Sequence, residues 1–99
     1  MREIEKQPGE NWPLAFEFKG KLPTGLSLMS GTVSANRTDT GATDNSVLAS
    51  TNLTISGTQA IVRIQAGASG VDYELTAQVT LSDTLTILEE DVLLKVLNR

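Results

Sequence analysis

An alternation of apolar and polar residues, placed after a corner bracketed by two glycines, constrains this chain more than any other feature. The apolar positions are Tyr73, Leu75, Ala77, Val79 and Leu81. The polar residues that alternate with them include Asp72, Glu74, Gln78 and Thr80. Because successive side chains of a strand point to opposite faces, this pattern predicts a half-buried β-strand. We expect the other elements to pair with this strand or to cover it.

The corner before that strand has a regular spacing, with Gly67, Gly70 and Tyr73 three residues apart. It resembles the tyrosine corner of immunoglobulin-like sandwiches, in which a tyrosine near the start of a late strand bonds through its hydroxyl to upstream backbone. A ligand contact is the alternative role for Tyr73. The spacing favours the structural role, so we predict that these three residues build a corner.

The remaining pattern predicts short strands and no helix. In the first strand, 12–18, the larger apolar residues share one face, while Pro13 indicates a sheet edge. In the second strand, 26–35, the apolar phase slips at Gly31, which predicts a β-bulge there. Further strands are predicted at 47–50, 53–56, 59–65 and 85–97. We therefore expect an all-β protein, an immunoglobulin-like (fibronectin III-like) antiparallel β-sandwich of about six or seven strands.

The chain length limits this fold to one domain, because 99 residues bury only a modest core. We assign residues 12–99 to a single β-sandwich domain. Residues 1–11 are polar and are interrupted by Pro8-Gly9, so we expect an extended N-terminal arm, with a frayed terminus as the alternative.

The composition argues against catalysis and against several partners. The chain has no histidine and no cysteine, which removes the commonest general base and the commonest transition-metal ligands. Asp72 and Glu74 share a strand face, but no aromatic platform accompanies them, and we expect a solvated face rather than a catalytic pair. The formal net charge is −4 and the basic residues are scattered, which disfavours nucleic acid. No apolar run suits a signal peptide or a membrane span, so we expect no membrane partner and synthesis in the cytosol. We also expect no cofactor.

Two polar segments have a functional and a structural interpretation. The loop 36–46 contains Asp39, Asp44 and Asn45, which could offer oxygen ligands to calcium but do not match the EF-hand spacing. Solvated loop residues are the simpler interpretation, and we expect this loop to be mobile in the free protein. The run Glu89-Glu90-Asp91 is predicted to protect an edge strand from open-ended pairing, with a docking patch or a cation site as the alternative.

Two stretches carry a resemblance to a known group. The first is Lys6-Gln7-Pro8-Gly9-Glu10, followed by the strand at 14–18; the second is 64–73, which leads into the alternating strand. Together with Ser82-Asp83 and the acidic, then apolar, terminal strand, they resemble small phage proteins known as fiber-tail adaptor or head–tail structural proteins, which also occur in prophages. The resemblance runs from residue 6 to residue 96.

This resemblance implies a non-enzymatic virion protein that assembles with other virion proteins and with itself. We expect an adaptor or connector at the head–tail or tail–fiber junction, located in the virion and in the host cytoplasm during assembly. β-Edge and arm contacts are the expected mode of assembly. The residues expected at the interface are Lys6, Pro8, Glu10, Trp12, Asp39, Asp44, Glu89, Glu90 and Asp91. A capsid decoration protein and a stand-alone carbohydrate-binding or adhesin module are the alternatives.

Overall fold

The apolar faces of the strands meet between two β-sheets in the computed structural model, which describes residues 2–97. The strands are β1 (Arg2–Lys6), β2 (Trp12–Glu17), β3 (Leu28–Arg37), β4 (Thr54–Ser56), β5 (Gln59–Ile64), β6 (Asp72–Leu81) and β7 (Ile87–Val96). Two 3-10 turns lie at Lys19–Lys21 and Asn45–Val47. Residue 1 of the predicted arm and residues 98 and 99 of the predicted domain lie outside the described residues.

The strands form a four-stranded sheet, in the order β1-β7-β6-β3, and a three-stranded sheet, in the order β2-β5-β4. The all-β fold and its two layers are thereby confirmed, and Pro13 does lie in an edge strand. The expectation of a purely antiparallel sandwich was wrong for one pair, because β1 runs parallel to β7. Residues 2–6 of the predicted arm are thus part of a sheet. Their pairing places Ile4 opposite Leu94, so that the one apolar side chain of β1 packs against the core.

The core forms along the predicted apolar faces. In β6, all five odd-numbered residues from Tyr73 to Leu81 are buried, which confirms the alternation read from the sequence. β2 contributes Leu14 and Phe16 from the opposite layer, and Phe18 follows directly after it. Full burial of a side chain of this size contributes about 1.5–3 kcal/mol to stability. The buried residues of β6 and β2, which face each other between the sheets, therefore account for much of the stability of the fold.

The irregularity in β3 lies two residues before the predicted position. The register shifts between Leu28 and Ser30, which makes Met29 the extra residue of the bulge, and the prediction of a bulge at Gly31 was wrong. Gly31 has a different role, because a Cβ built there would lie 2.9 Å from side-chain atoms of both Leu53 and Val79. This position excludes a side chain, and β3 can approach the neighbouring segment closely.

The segment 44–53 seals one side of the sandwich. Predicted as a strand at 47–50, it is instead a 3-10 turn followed by backbone that bonds to both sheets. The Leu53 N–H donates to the Gly31 carbonyl in β3 at 2.9 Å, and the Gln65 N–H, just beyond β5, donates to the Val47 carbonyl at 2.8 Å. The edge of β3 and the half of β5 that β4 leaves unpaired are therefore partly covered on this side, whereas β1 and β2 have strand neighbours on one side only.

Candidate functional site

The predicted arm is held against the domain by a buried lysine. Lys6 is 2% exposed, and it is the one buried charged residue among residues 2–97. Its ammonium group donates to the carbonyl oxygens of Gln7 at 2.7 Å, Pro8 at 3.4 Å and Ala66. Burial lowers the pKa of Lys6, and the nearby Glu10 carboxylate partly opposes that shift. Lys6 therefore connects the end of β1 to the corner that precedes β6.

The residues around Lys6 form a closed turn rather than an open arm. The Gln7 N–H donates to a Glu10 side-chain oxygen at 2.6 Å, and the Glu10 N–H donates to the Gln7 carbonyl at 3.0 Å. Trp12 begins β2, is half-buried and packs against the core, so it offers no open aromatic platform. Three of the residues expected at an interface, Lys6, Pro8 and Glu10, thus lie together at one end of the sandwich.

Gly67, Gly70 and Tyr73 lie in or beside the corner that precedes β6. The Tyr73 hydroxyl accepts a hydrogen bond from the Ala68 N–H at 3.0 Å. Gly67 and Gly70 both adopt positive φ, +100° and +80°, which is the left-handed region that favours glycine. The Gly70 N–H donates to the Val96 carbonyl at 2.8 Å, so the corner also closes over the end of β7.

The acidic run lies where β7 extends past β1. β1 pairs with residues 92–96 of β7, so the run 89–91 occupies the half without that neighbour. Here Lys21 covers part of the edge, because its ammonium group donates to the Glu89 carbonyl and forms an ion pair with the Glu90 carboxylate at 2.9 Å. β7 is therefore an inner strand where it pairs with β1 and an edge strand over its first half. That the acidic run protects this edge from further pairing stays a prediction.

The outer face of the four-stranded sheet is acidic. Strand register and exposure place these carboxylates on it: Glu3, Glu5, Asp72, Glu74, Glu89 and Asp91. Lys95 is the one base that the described strands add to this face, and its ammonium lies 3.6 Å from Glu3. Asp91 Oδ1 is shielded from solvent without a hydrogen-bond partner among the described residues. The arrangement is an extended charged surface, not a cleft around Asp72 and Glu74.

The polar loop uses its oxygen atoms locally. Arg37 donates to both carboxylate oxygens of Asp39 at 3.0 and 3.1 Å, and these hydrogen bonds lower the pKa of Asp39. Asp44 caps the second 3-10 turn by accepting from the Ser46 hydroxyl at 2.6 Å, which lowers its pKa, and from the Ser46 N–H. Asn45 Oδ1 accepts from the Ala35 N–H at 2.9 Å. The three residues that could have offered oxygen ligands to calcium are thus directed to different partners.

Within residues 2–97, no group of three His, Cys, Asp or Glu side chains is placed to hold a metal ion. That part of the chain also contains no helix with the length and apolar character required to cross a bilayer.

The sequence predictions missed a group of exposed apolar side chains. Met29 is 49% exposed, Leu85 is 83% exposed and Ile87 is 58% exposed. A signal was available, because Leu85 and Ile87 share their parity with Glu89 and Asp91, whereas the buried residues of the strand begin at Val92 on the other parity. The turn and the start of β7 therefore carry apolar side chains on the outer face, in addition to the inner apolar face that Leu88 and the residues from Val92 onward form.

Comparison with known proteins connects this chain to a phage protein family. A family model described as podophage GP4 fiber-tail adaptor protein gp77 matches residues 6–95. No curated protein and no solved structure matches the chain significantly.

Proposed function

This chain belongs to the podophage GP4 fiber-tail adaptor protein family, and we propose that it joins a fiber to the tail of a phage particle. The family is one of structural adaptors rather than enzymes, which places the protein in the virion. The match over residues 6–95 is the observation that carries the proposal, because it includes all seven strands in part or whole. The acidic outer face and the exposed apolar group are the kinds of surface such a role requires.

We infer further that the sandwich is immunoglobulin-like. Its two sheets contain β7-β6-β3 and β2-β5-β4, which correspond to the C-F-G and B-E-D groupings of immunoglobulin domains. The hydrogen bond from Ala68 to Tyr73 near the start of β6 supports this assignment, since β6 takes the place of strand F. β1 then takes the place of a first strand that has moved to the other sheet.

Assembly through strand edges is the proposed mode of contact. β1 and β2 are the edge strands on the side that segment 44–53 leaves open. Pro13 removes one donor from β2, and the Ala15 carbonyl already accepts from the Arg2 guanidinium at 3.2 Å. β1 is therefore the better edge for pairing with a neighbouring protein or a second copy, which is how the N-terminal segment enters the proposed interface.

Native mass spectrometry of the purified chain tests this function. The chain is measured alone and mixed with the tail and fiber proteins of the same particle. We expect complexes with both proteins and symmetric self-association at high concentration, during an assembly stage that we place in the host cytoplasm. A chain that stays monomeric and binds neither protein would contradict the adaptor role and would favour the stand-alone binding module instead.

A further inference from the structure

The exposed large apolar side chains of the described chain gather at one end of the outer face. Met29 is the extra residue of the β3 bulge, directly before Ser30, and Ser30 pairs with Thr80 of β6. Thr80 pairs in turn with Ile87 of β7, so Met29 and Ile87 lie on either side of Thr80 in β6. Two strand spacings put them roughly 10 Å apart. Leu85 lies in the β6–β7 turn, two residues before Ile87. We call Met29, Leu85 and Ile87 the hairpin patch.

The turn that carries Leu85 is closed by hydrogen bonds to one carboxylate. Asp83 accepts hydrogen bonds from the Thr86 hydroxyl at 2.7 Å and from the N–H groups of Thr86 at 2.9 Å and Leu85 at 3.0 Å. The Ser82 N–H donates to the Ser27 carbonyl at 2.8 Å, which connects the turn to the chain just before β3. Because these hydrogen bonds already fix the backbone of the turn, binding through Leu85 has less backbone ordering to offset, which suits a contact surface.

The charges beside the hairpin patch are mostly acidic. The sequence contains no lysine or arginine between Arg63 and Lys95, which leaves β6 and the first half of β7 without a base. Glu89 follows Ile87 on the same outer face, and Asp83 lies in the turn. Lys21 is the base that reaches this part of β7, and the Glu90 carboxylate already pairs with it at 2.9 Å. A partner that approaches the patch therefore meets an apolar centre with an acidic rim.

We propose that the hairpin patch is a docking surface for another protein of the particle, one that presents apolar side chains surrounded by lysine and arginine. This rests on the proposed function and specifies the surface and the chemistry of its partner. An apolar centre with a charged rim is the usual anatomy of such interfaces. Since a standard interface takes about 800 Å² from each partner, the contact extends from the patch along the acidic outer face.

A second copy of this chain is a poorer occupant than a different protein. All the exposed large hydrophobic residues found in 2–97 lie in the patch itself. A second copy could offer only the same acidic patch, which repels, or surfaces without a large exposed apolar side chain. Charge complementarity thus selects a basic partner of a different kind.

Biolayer interferometry with the immobilised tail protein and the immobilised fiber protein tests the proposal. The substitution Ile87→Thr removes an apolar side chain from the patch, and Ile61→Thr makes the same change on the outer face of β5. We expect Ile87→Thr to weaken binding to one of the two proteins by about tenfold or more, as at an interface hot spot. Ile61→Thr should stay within about twofold of the wild type, because β5 lies outside the patch.

A charge reversal gives a second pair of variants. Glu89→Lys changes the rim next to Ile87, and Glu74→Lys changes the same outer face near the far end of β6. We expect Glu89→Lys to weaken binding more than Glu74→Lys at low salt, with the difference shrinking as ionic strength rises. Circular dichroism checks that all four variants fold.

The outcomes separate this proposal from the proposed function. If the wild type binds tail and fiber proteins and both members of each pair behave alike, the hairpin patch is not the docking surface, although the adaptor role stands. If the wild type binds neither protein, both proposals fail together. Selective loss at Ile87 and Glu89 supports the patch.

Discussion

Lys6 and Tyr73 show how single polar contacts organise this end of the sandwich. Each reaches backbone of the corner that precedes β6, Lys6 through the Ala66 carbonyl and Tyr73 through the Ala68 N–H. A buried polar group lowers the stability of the fold unless it is hydrogen-bonded. Removing the side chain of Lys6 or the hydroxyl of Tyr73 should therefore lower the free energy of unfolding.

The first prediction concerns the hydroxyl of Tyr73. Tyr73→Phe should lower the free energy of unfolding by on the order of 1 kcal/mol, because the partly buried hydrogen bond from the Ala68 N–H to the hydroxyl of the buried Tyr73 is lost. Urea denaturation measures the change. Thr38→Val is the control: it removes an exposed hydroxyl that donates to the Asp72 carbonyl at 3.3 Å, and it should cost under about 0.5 kcal/mol. Equal effects of the two substitutions would remove the special role of the corner.

The second prediction concerns the charge of Lys6. Burial lowers its pKa in the folded chain below the ordinary value of 10.5, so the unfolded chain holds the proton more tightly. Between the two pKa values the unfolded state binds more protons, and stability therefore rises with pH in that window.

Lys6→Met lacks this proton and should lack that rise. Comparing the urea midpoints of the wild type and the variant from pH 7 upward isolates the contribution, because other titrating groups are common to both. If the difference between the two urea midpoints stays constant with pH, or if the wild type becomes less stable than the variant as pH rises, Lys6 is not desolvated in the folded chain.

At the scale of the elements, the strands follow the sequence wherever alternation is strong. β6 could be predicted because its apolar and polar residues alternate without a break. β1 could not, since Ile4 is its one apolar residue and its partner β7 lies at the other end of the sequence. The predicted position of the bulge was wrong because a glycine at a phase slip has two explanations, an extra residue or close packing. At Gly31 close packing is the correct one, and the extra residue is Met29.

Gly31 gives the third prediction. Gly31→Ala should destabilise the protein by about 1–3 kcal/mol, since the new methyl group meets Leu53, Val79 and the Gln78 carbonyl. Gly20→Ala is the matched control, because nothing lies within 4 Å of a Cβ at Gly20, and it should stay within about 0.5 kcal/mol of the wild type. Thermal unfolding of both variants measures the difference, and a neutral Gly31→Ala would mean that β3 can move away from its neighbour.

The β6–β7 turn gives the fourth prediction. The hydrogen bond from the Thr86 hydroxyl, followed by those from backbone N–H groups, lowers the pKa of Asp83 below its ordinary value of 3.8. The ionised carboxylate therefore stabilises the fold above that value, and the contribution is lost as pH falls through the folded pKa. Asp83→Ala should be less stable than the wild type at neutral pH, and the two should converge in acid. An advantage of the wild type that grows on acidification would contradict this assignment.

At the scale of the whole molecule, the sandwich combines a side sealed by segment 44–53, an edge at β1 and an acidic outer face that ends in the hairpin patch. The two layers and the general acidity could be predicted from alternation and composition. The patch could be predicted only in part, because the parity of Leu85 and Ile87 indicates two outward residues, whereas the placement of Met29 depends on the β3 bulge and the strand register. The oxygen atoms of the polar loop 36–46 are used in local hydrogen bonds, and the mobility of this loop stays a prediction.

Electron microscopy of particles assembled without this protein tests the adaptor role most directly. If the chain joins fiber to tail, such particles should keep the head and the tail but lack fibers, and adding the purified protein back together with fibers should restore them. Particles that carry a normal set of fibers in its absence would contradict the account.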